Sequence, residues 1–321
     1  MFTNPNEFAA SLYSSLRKPV PHLSSTDHLD EGWKKITWTR FDKSKFGKRY
    51  TREQAHNYVL FIDNLREEIQ RGFSDEIRNK LNATVSFGIL DSGEINASIY
   101  KDRKTGYCAI FFNLGIIQFF SLYLQLREAY FRPQNVIYCT RGNPQDLDKS
   151  DYAKFMDEHF VNYLKDDYPN GPKIHLNKEA NNRVGRLILI KDLFILAHEI
   201  GHFVNGDLDG GANFEACKEL AGVEFFAGNS YHEREFAADD SGFKIVAKTQ
   251  KIPEKKYTAG DLLMSSLCVF FCGLYTLNPR ESATHPCSLD RCLQLAHKYC
   301  SPIGLEACIN DVRRTRESIE Q

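Results

Sequence analysis

Hydrophobic and polar positions change period several times along the first half of the chain, then settle into a helical rhythm. Residues 51–81 are rich in helix formers and place Val59, Ile62, Leu65 and Ile69 at spacings of 3, 3 and 4, which predicts an amphipathic helical stretch. Alternation takes over at 84–87 and 95–100, followed by the charged turn KDRKTG and an apolar run at 107–112. This pattern predicts a hairpin with Gly106 in its turn, within a small antiparallel sheet of two or three strands. A helix is expected from about Leu114. Residues 1–50, with Pro5, Pro19, Pro21 and the tryptophans Trp33 and Trp38, read as an irregular lead-in that packs its aromatics onto the body.

From Asp151 onward the pattern predicts helices at about 151–165, 181–205, 231–248, 260–277, 287–299 and 303–318. Breaks fall at 169–172 (PNGP), at 206–211, at Pro253 and at Pro279. The fold class is α+β with helix in excess. No repeat or strong linker divides the chain. A soft boundary separates an N-terminal helix-and-hairpin region, 1–180, from a helical region, 181–321.

Composition then narrows the function. A chain of 321 residues with 42% hydrophobic and 12% aromatic residues is not disordered. With 41 basic against 42 acidic side chains, net −1, bulk electrostatics does not hold it to nucleic acid. The mean hydropathy of −0.43 argues against a multi-span membrane protein. One stretch, 106–126, is uncharged over nearly the length of a bilayer span. Asn113, Gln118, Ser121 and Gln125 interrupt it, and it reads better as strand then helix. Another, 262–277, resembles a buried core helix. The opening residues lack the basic start, apolar run and cleavage site of a secretory signal. Nine cysteines, an odd number without a CxxC pair, fit reduced and mostly buried thiols in a cytosolic protein. Cys287, Cys292, Cys300 and Cys308 crowd the C-terminal region at spacings that match no zinc finger.

The chemistry concentrates at residues 198–202, His-Glu-Ile-Gly-His. Positions i and i+4 of a helix share a face, so His198 and His202 present two imidazoles to one point. Glu199, about 100° round, stands beside that point. This is the arrangement of two Zn²⁺ ligands and a general base. The nearly apolar residues 187–197 suit a buried helix that delivers the motif to a cleft, and Asn205-Gly206 is a stop signal. A catalytic zinc needs a third protein ligand and an open position. The pattern HExxHxxGxxH fails, because position 205 is Asn and position 208 is Leu. Downstream, Ser230 and Glu233 form a capping box that starts a helix bearing Glu235 and, one turn later, Asp239. Glu235 can complete a His₂Glu site. Asp239 can accept the second ring N–H of a ligand histidine. Residues 198–240 hold ten acidic and two basic side chains, as expected around a divalent cation.

HEIGH followed by Glu235-Phe-Ala-Ala-Asp239 resembles the gluzincin metallopeptidases, especially their HtpX-type and CAAX-prenyl-protease-type branch. Thr284-His285-Pro286 and then Arg291 resemble the His-Pro…Arg element of that branch, so the likeness spans roughly residues 187–300. The membrane helices typical of the branch are not evident, and a soluble relative is the better description. A second resemblance, resting on a cytosolic layout with the motif past the middle, is to bacterial-defence peptidases of the Lit phage-exclusion type. The resemblance implies a zincin-like fold and a zinc endopeptidase with one Zn²⁺ per chain on His198, His202 and Glu235. Glu199 would be the general base and a protein or peptide the substrate. The donor that stabilises the tetrahedral intermediate is open among His285, Tyr231, His232 and Arg291, with the His-Pro…Arg analogy favouring His285. An edge strand of the hairpin, 95–100 or 107–112, could pair with an extended substrate. Two other classes stay open: a non-proteolytic interaction or regulatory protein with a zinc-stabilised core, including a phage-defence role, and a membrane-attached peptidase anchored by 106–126.

Overall fold

Helices stand wherever the sequence keeps its 3.6-residue period. The computed structural model describes residues 3–15, 52–90, 93–166, 171–209, 230–251, 258–279 and 285–320. In chain order the elements are α1 (Pro5–Ser15), α2 (Arg52–Gln70), α3 (Asp75–Thr84), β1 (Val85–Leu90), β2 (Ala97–Lys101), β3 (Cys108–Asn113), α4 (Leu114–Phe131) and β4 (Val136–Cys139). Then come α5 (Lys149–Asp166), β5 (Ile174–Leu176), α6 (Lys178–Asn205), α7 (Ser230–Thr249), α8 (Thr258–Leu277), α9 (Ser288–Tyr299) and α10 (Pro302–Glu320). The protein is thus helix-rich α+β with a small sheet.

The hairpin forms as expected. β2 pairs antiparallel with β3, and Gly106 adopts the left-handed φ of 77° that closes the turn. The sheet, however, is mixed rather than antiparallel: its order is β1-β3-β2, with β1 parallel to β3. The physical reason lies in burial. β3 (CAIFFN) is buried along its whole length and takes the centre, whereas β2 is mostly half-buried and forms an edge. Side chains alternate across β3. Ala109 and Phe111 meet Phe8 and Ala9 of α1, while Cys108, Ile110 and Phe112 join the main core.

Three further expectations need correction. The start of the chain is not an irregular lead-in, because residues 5–15 are helical. Asn4 Oδ1 accepts from the Glu7 amide at 3.0 Å, with Pro5 at the first helical position, a cap that overrides the local irregularity. Trp33 and Trp38 lie outside the described residues. The stretch 51–81 is two helices, since Ser74 caps α3 by accepting from the Ile77 amide. A second sheet, β4 antiparallel to β5, was not expected; strands of three and four residues are too short to display a period. The uncharged stretch 106–126 is divided between β3, which is buried throughout, and α4, most of whose residues are buried. α8 contains one 18-residue window, Gly260–Leu277, long and apolar enough to cross a membrane, and 67% of it is buried inside the protein.

One hydrophobic cluster runs from Ile62 of α2 through β1, β3 and α4 to α6, α8 and Val312 of α10, so it draws on both sides of residue 180. Its aromatic centre is Phe119, fully buried, stacked on His159 at 4.6 Å and edge-on to Phe120, Phe160 and Tyr163. Burial holds the His159 imidazole neutral, with its pKa lowered to about 4. Replacing Phe119 by Ala should therefore destabilise the protein by about 3–5 kcal/mol in denaturant unfolding. Leu164→Ala, on the exposed face of α5, should stay within about 0.5 kcal/mol.

Candidate metal centre

Two helices build the centre by crossing at glycines. α6 starts at Asn177, whose side chain accepts from the Ala180 amide at 2.9 Å, and ends at Gly206 with φ 75°. From Ile190 to Gly201 every residue of α6 is buried. The two charges in that run, Lys191 and Asp192, pair at 2.5 Å in the interior. A Cβ on Gly201 would sit 2.9 Å from the Ala238 carbonyl oxygen of α7. One on Gly242 would sit 3.0 Å from the His198 amide nitrogen. Only hydrogen at these two positions lets the backbones approach this closely, and the approach brings Glu235 and Asp239 against the histidines.

His198 and His202 lie one turn apart with ring centroids at 4.7 Å and their Nε2 atoms at 3.1 Å. Glu235 reaches both: Oε2 is 3.5 Å from His198 Nε2 and Oε1 is 3.5 Å from His202 Nε2. The three ligand atoms all lie within 4.8 Å of one another. Outside them sits a ring of carboxylates. His198 Nδ1 is 2.9 Å from Asp239 Oδ1, and His202 Nδ1 is 2.8 Å from Asp207 Oδ2. Arg291 donates to both oxygens of Asp239, at 2.7 and 2.6 Å, and its Nη1 is 3.4 Å from Glu235. α9 is held in place for this by Tyr299, which stacks on Phe243 at 4.1 Å and donates its hydroxyl proton to Asp240.

These contacts fix the tautomers. Each Nδ1–H donates outward to a carboxylate, which leaves the two Nε2 atoms facing one another, where they can share a proton or bind a metal ion. Glu235 Oε2 is buried with no hydrogen-bond partner. Such a cluster is stable only with positive charge at its focus. Two Zn–N bonds of about 2.0–2.1 Å at a tetrahedral angle would set nitrogens about 3.3 Å apart, so this donor set fits Zn²⁺. A proton is the competitor. Burial alone would lower the His202 pKa, but the bonds to Asp207 and Glu235 outweigh it and push the value up to about 10. Burial likewise raises Glu235, and the two histidines more than reverse this, holding its carboxyl far below the usual range.

No family model, curated protein or solved structure matches this chain.

The donor group opens onto a cavity of about 350 Å³. Glu199 lines it without belonging to the group, and burial pushes its carboxyl above the usual carboxylate range, opposed by His198 and His202. His285 and Tyr231 line the same cavity, both about half exposed; His285 Nε2 stands 3.7 Å from Glu235 Oε1. His232 is not among the lining residues. Arg291 lines the cavity, but its guanidinium is already committed to Asp239 and Glu235, so it positions ligands. Sequence reasoning missed Asp207. Its signal was there: it is the first acidic residue after the Gly206 stop.

Asp207→Ala should lower zinc affinity about 10–100-fold, as measured by competition with a chromogenic chelator. The metal-free protein keeps the stabilising contribution of His202 below the unfolded-state pKa of about 6.5 and loses it as pH rises through about 10. Zinc replaces that proton, so its gain in Tm should be larger near pH ~8.5 than near pH ~6, and calorimetry with and without chelator reads the difference.

Proposed function

We propose that this protein is a zinc-dependent metalloendopeptidase of gluzincin type, with a zincin-like fold, acting in the cytosol on a protein or peptide substrate. The observation that carries the reading is the division of labour between α6 and α7: two imidazoles and the Glu235 carboxylate converge, and a second carboxylate, Glu199, faces the same cavity without joining them. A structural zinc site would need a fourth protein ligand and no base. Among the described residues the group has three.

A zinc ion on His198, His202 and Glu235 would activate a water and polarise the scissile carbonyl. Glu199 takes the water's proton and delivers it to the leaving amine; its raised pKa suits both halves of that transfer. His285, next to Glu235, would donate to the developing oxyanion; Tyr231, which lines the same cavity, is the second candidate. Asp239 and Asp207 hold the imidazoles, and Arg291 holds Asp239.

The cavity also favours an extended chain. Residues 95–99, leading into and including the edge strand β2, form one wall, and the outer edge of that strand offers backbone pairing to a substrate. Ile116, Phe194, Ile195, Phe270 and Leu274 form an apolar wall beside the donors, suited to an apolar side chain near the cleaved bond. A cytosolic setting is supported by the cysteines, since all eight described are free.

Glu199→Gln should retain one zinc per chain and lose cleavage by about 10²–10⁴-fold. Mass-spectrometric mapping of new N-termini in a lysate, wild type against this variant, reads the loss and identifies the substrate. Identical N-termini from both proteins would overturn the peptidase reading.

A further inference from the structure

Five carboxylate and guanidinium side chains line the cavity beside the donor group: Glu199, Asp207, Arg234, Glu235 and Arg291. Four of them already have a task. Asp207 holds His202, Glu235 reaches both imidazoles, and Arg291 donates to Asp239. Glu199 is the base of the proposed reaction. Arg234 is the exception, since among the described residues no carboxylate pairs with it. It is half-buried near the start of α7, with its guanidinium carbon 5.6 Å from the centre of the Tyr231 ring. Tyr231, Arg234 and Glu235 are spaced i, i+3 and i+4, so one helix face carries the ring, the cation and the metal ligand to the same cavity. The helix itself does not explain the arginine, because the dipole favours anions at this end. Contact with an aromatic ring steadies a guanidinium while its edge donors stay available. The apolar wall of the cavity, which includes Phe194, Ile195 and Phe270, strengthens any charge pair formed inside it.

We propose that Arg234, braced on Tyr231, is a specificity residue that takes a carboxylate of the substrate within about two residues of the cleaved bond. The inference rests on the peptidase reading and deepens it by naming the substrate's chemistry. A planar guanidinium matches a carboxylate through two parallel N–H···O bonds, a fork that no other side chain offers. The reach follows from chain dimensions. Neighbouring Cα atoms, such as those of Arg234 and Glu235, are ~3.8 Å apart, and an extended substrate residue spans about 3.3–3.6 Å. A group held by Arg234 therefore stands one or two substrate residues from a group held at the donors. An acidic side chain and a free chain end both supply this carboxylate.

The test maps new N-termini in a lysate treated with the zinc-loaded full chain as wild type, Arg234→Gln and Glu199→Gln. Wild-type sites should carry Asp or Glu, or the end of the substrate chain, within about two residues of the cut. Peptides copied from the strongest site then separate the two sources. Exchanging Glu for Gln lowers kcat/KM about 10–100-fold if a side chain is held, and amidating the C-terminus does so if the chain end is held. In Arg234→Gln that ratio should fall to about one. Binding gives a readout without turnover: against Glu199→Gln the acidic and neutral peptides should differ at least about tenfold in Kd, and adding Arg234→Gln should abolish the difference. Wild-type sites with no acidic or terminal preference, or a preference that persists in Arg234→Gln, would overturn the subsite and leave the peptidase standing. N-termini that are the same in wild type and Glu199→Gln would overturn the peptidase reading, and the subsite with it.

Discussion

Two imidazole lone pairs aimed at one another across 3.1 Å are the constraint around which this protein is organised. With no cation between them, Nε2 atoms at that distance repel, and Glu235, whose two oxygens lie 3.5 Å from the two rings, adds negative charge to the same point. The surroundings do not relieve the conflict; they enforce it. Asp239 and Asp207 draw both Nδ1 protons outward, and Arg291 fixes Asp239 in turn. A cation resolves the arrangement, and the carboxylates that orient the rings also raise their basicity toward it.

Packing supplies the precision this requires. Glycines at 201 and 242 let α6 and α7 cross close enough for a carboxylate one turn apart from Asp239 to meet both histidines. The wall behind α6 is apolar and tightly filled: Phe194 lies edge-on to Phe270 and Phe271, and α8 buries most of its length there. That apolar backing keeps water away from the donor group on one side. On the other side the cavity is bounded by residues 95–99, which lead into and include the edge strand β2.

How legible this was in the sequence depended on the range of the interaction. His198, His202 and Glu199 follow from helical periodicity alone, and Glu235 with Asp239 follow from a cap and a turn. Each of these is a local rule. The end of α6 at Gly206 and the hairpin turn at Gly106 were readable for the same reason, since a positive φ selects glycine. What local rules could not supply was the choice of partners. That β3 inserts between β1 and β2, parallel to the first, is decided by which strand is buried on both faces. That Arg291 pairs with Asp239 is decided by how Tyr299 docks α9 on α7. The helix at 5–15 was a missed local signal, Asn-Pro-x-Glu, rather than an inaccessible one.

The central claim is that a metal ion sits between His198, His202 and Glu235. X-ray absorption spectroscopy at the zinc edge on the purified full chain tests it most directly, because it reads the ligand atoms themselves. The account predicts one zinc with a first shell of nitrogen and oxygen at about 2.0–2.1 Å, two of its scatterers being imidazole, and no sulfur. A sulfur shell near 2.3 Å would move the metal to the cysteines of α8, α9 and α10, and a protein that binds no zinc would contradict the account outright.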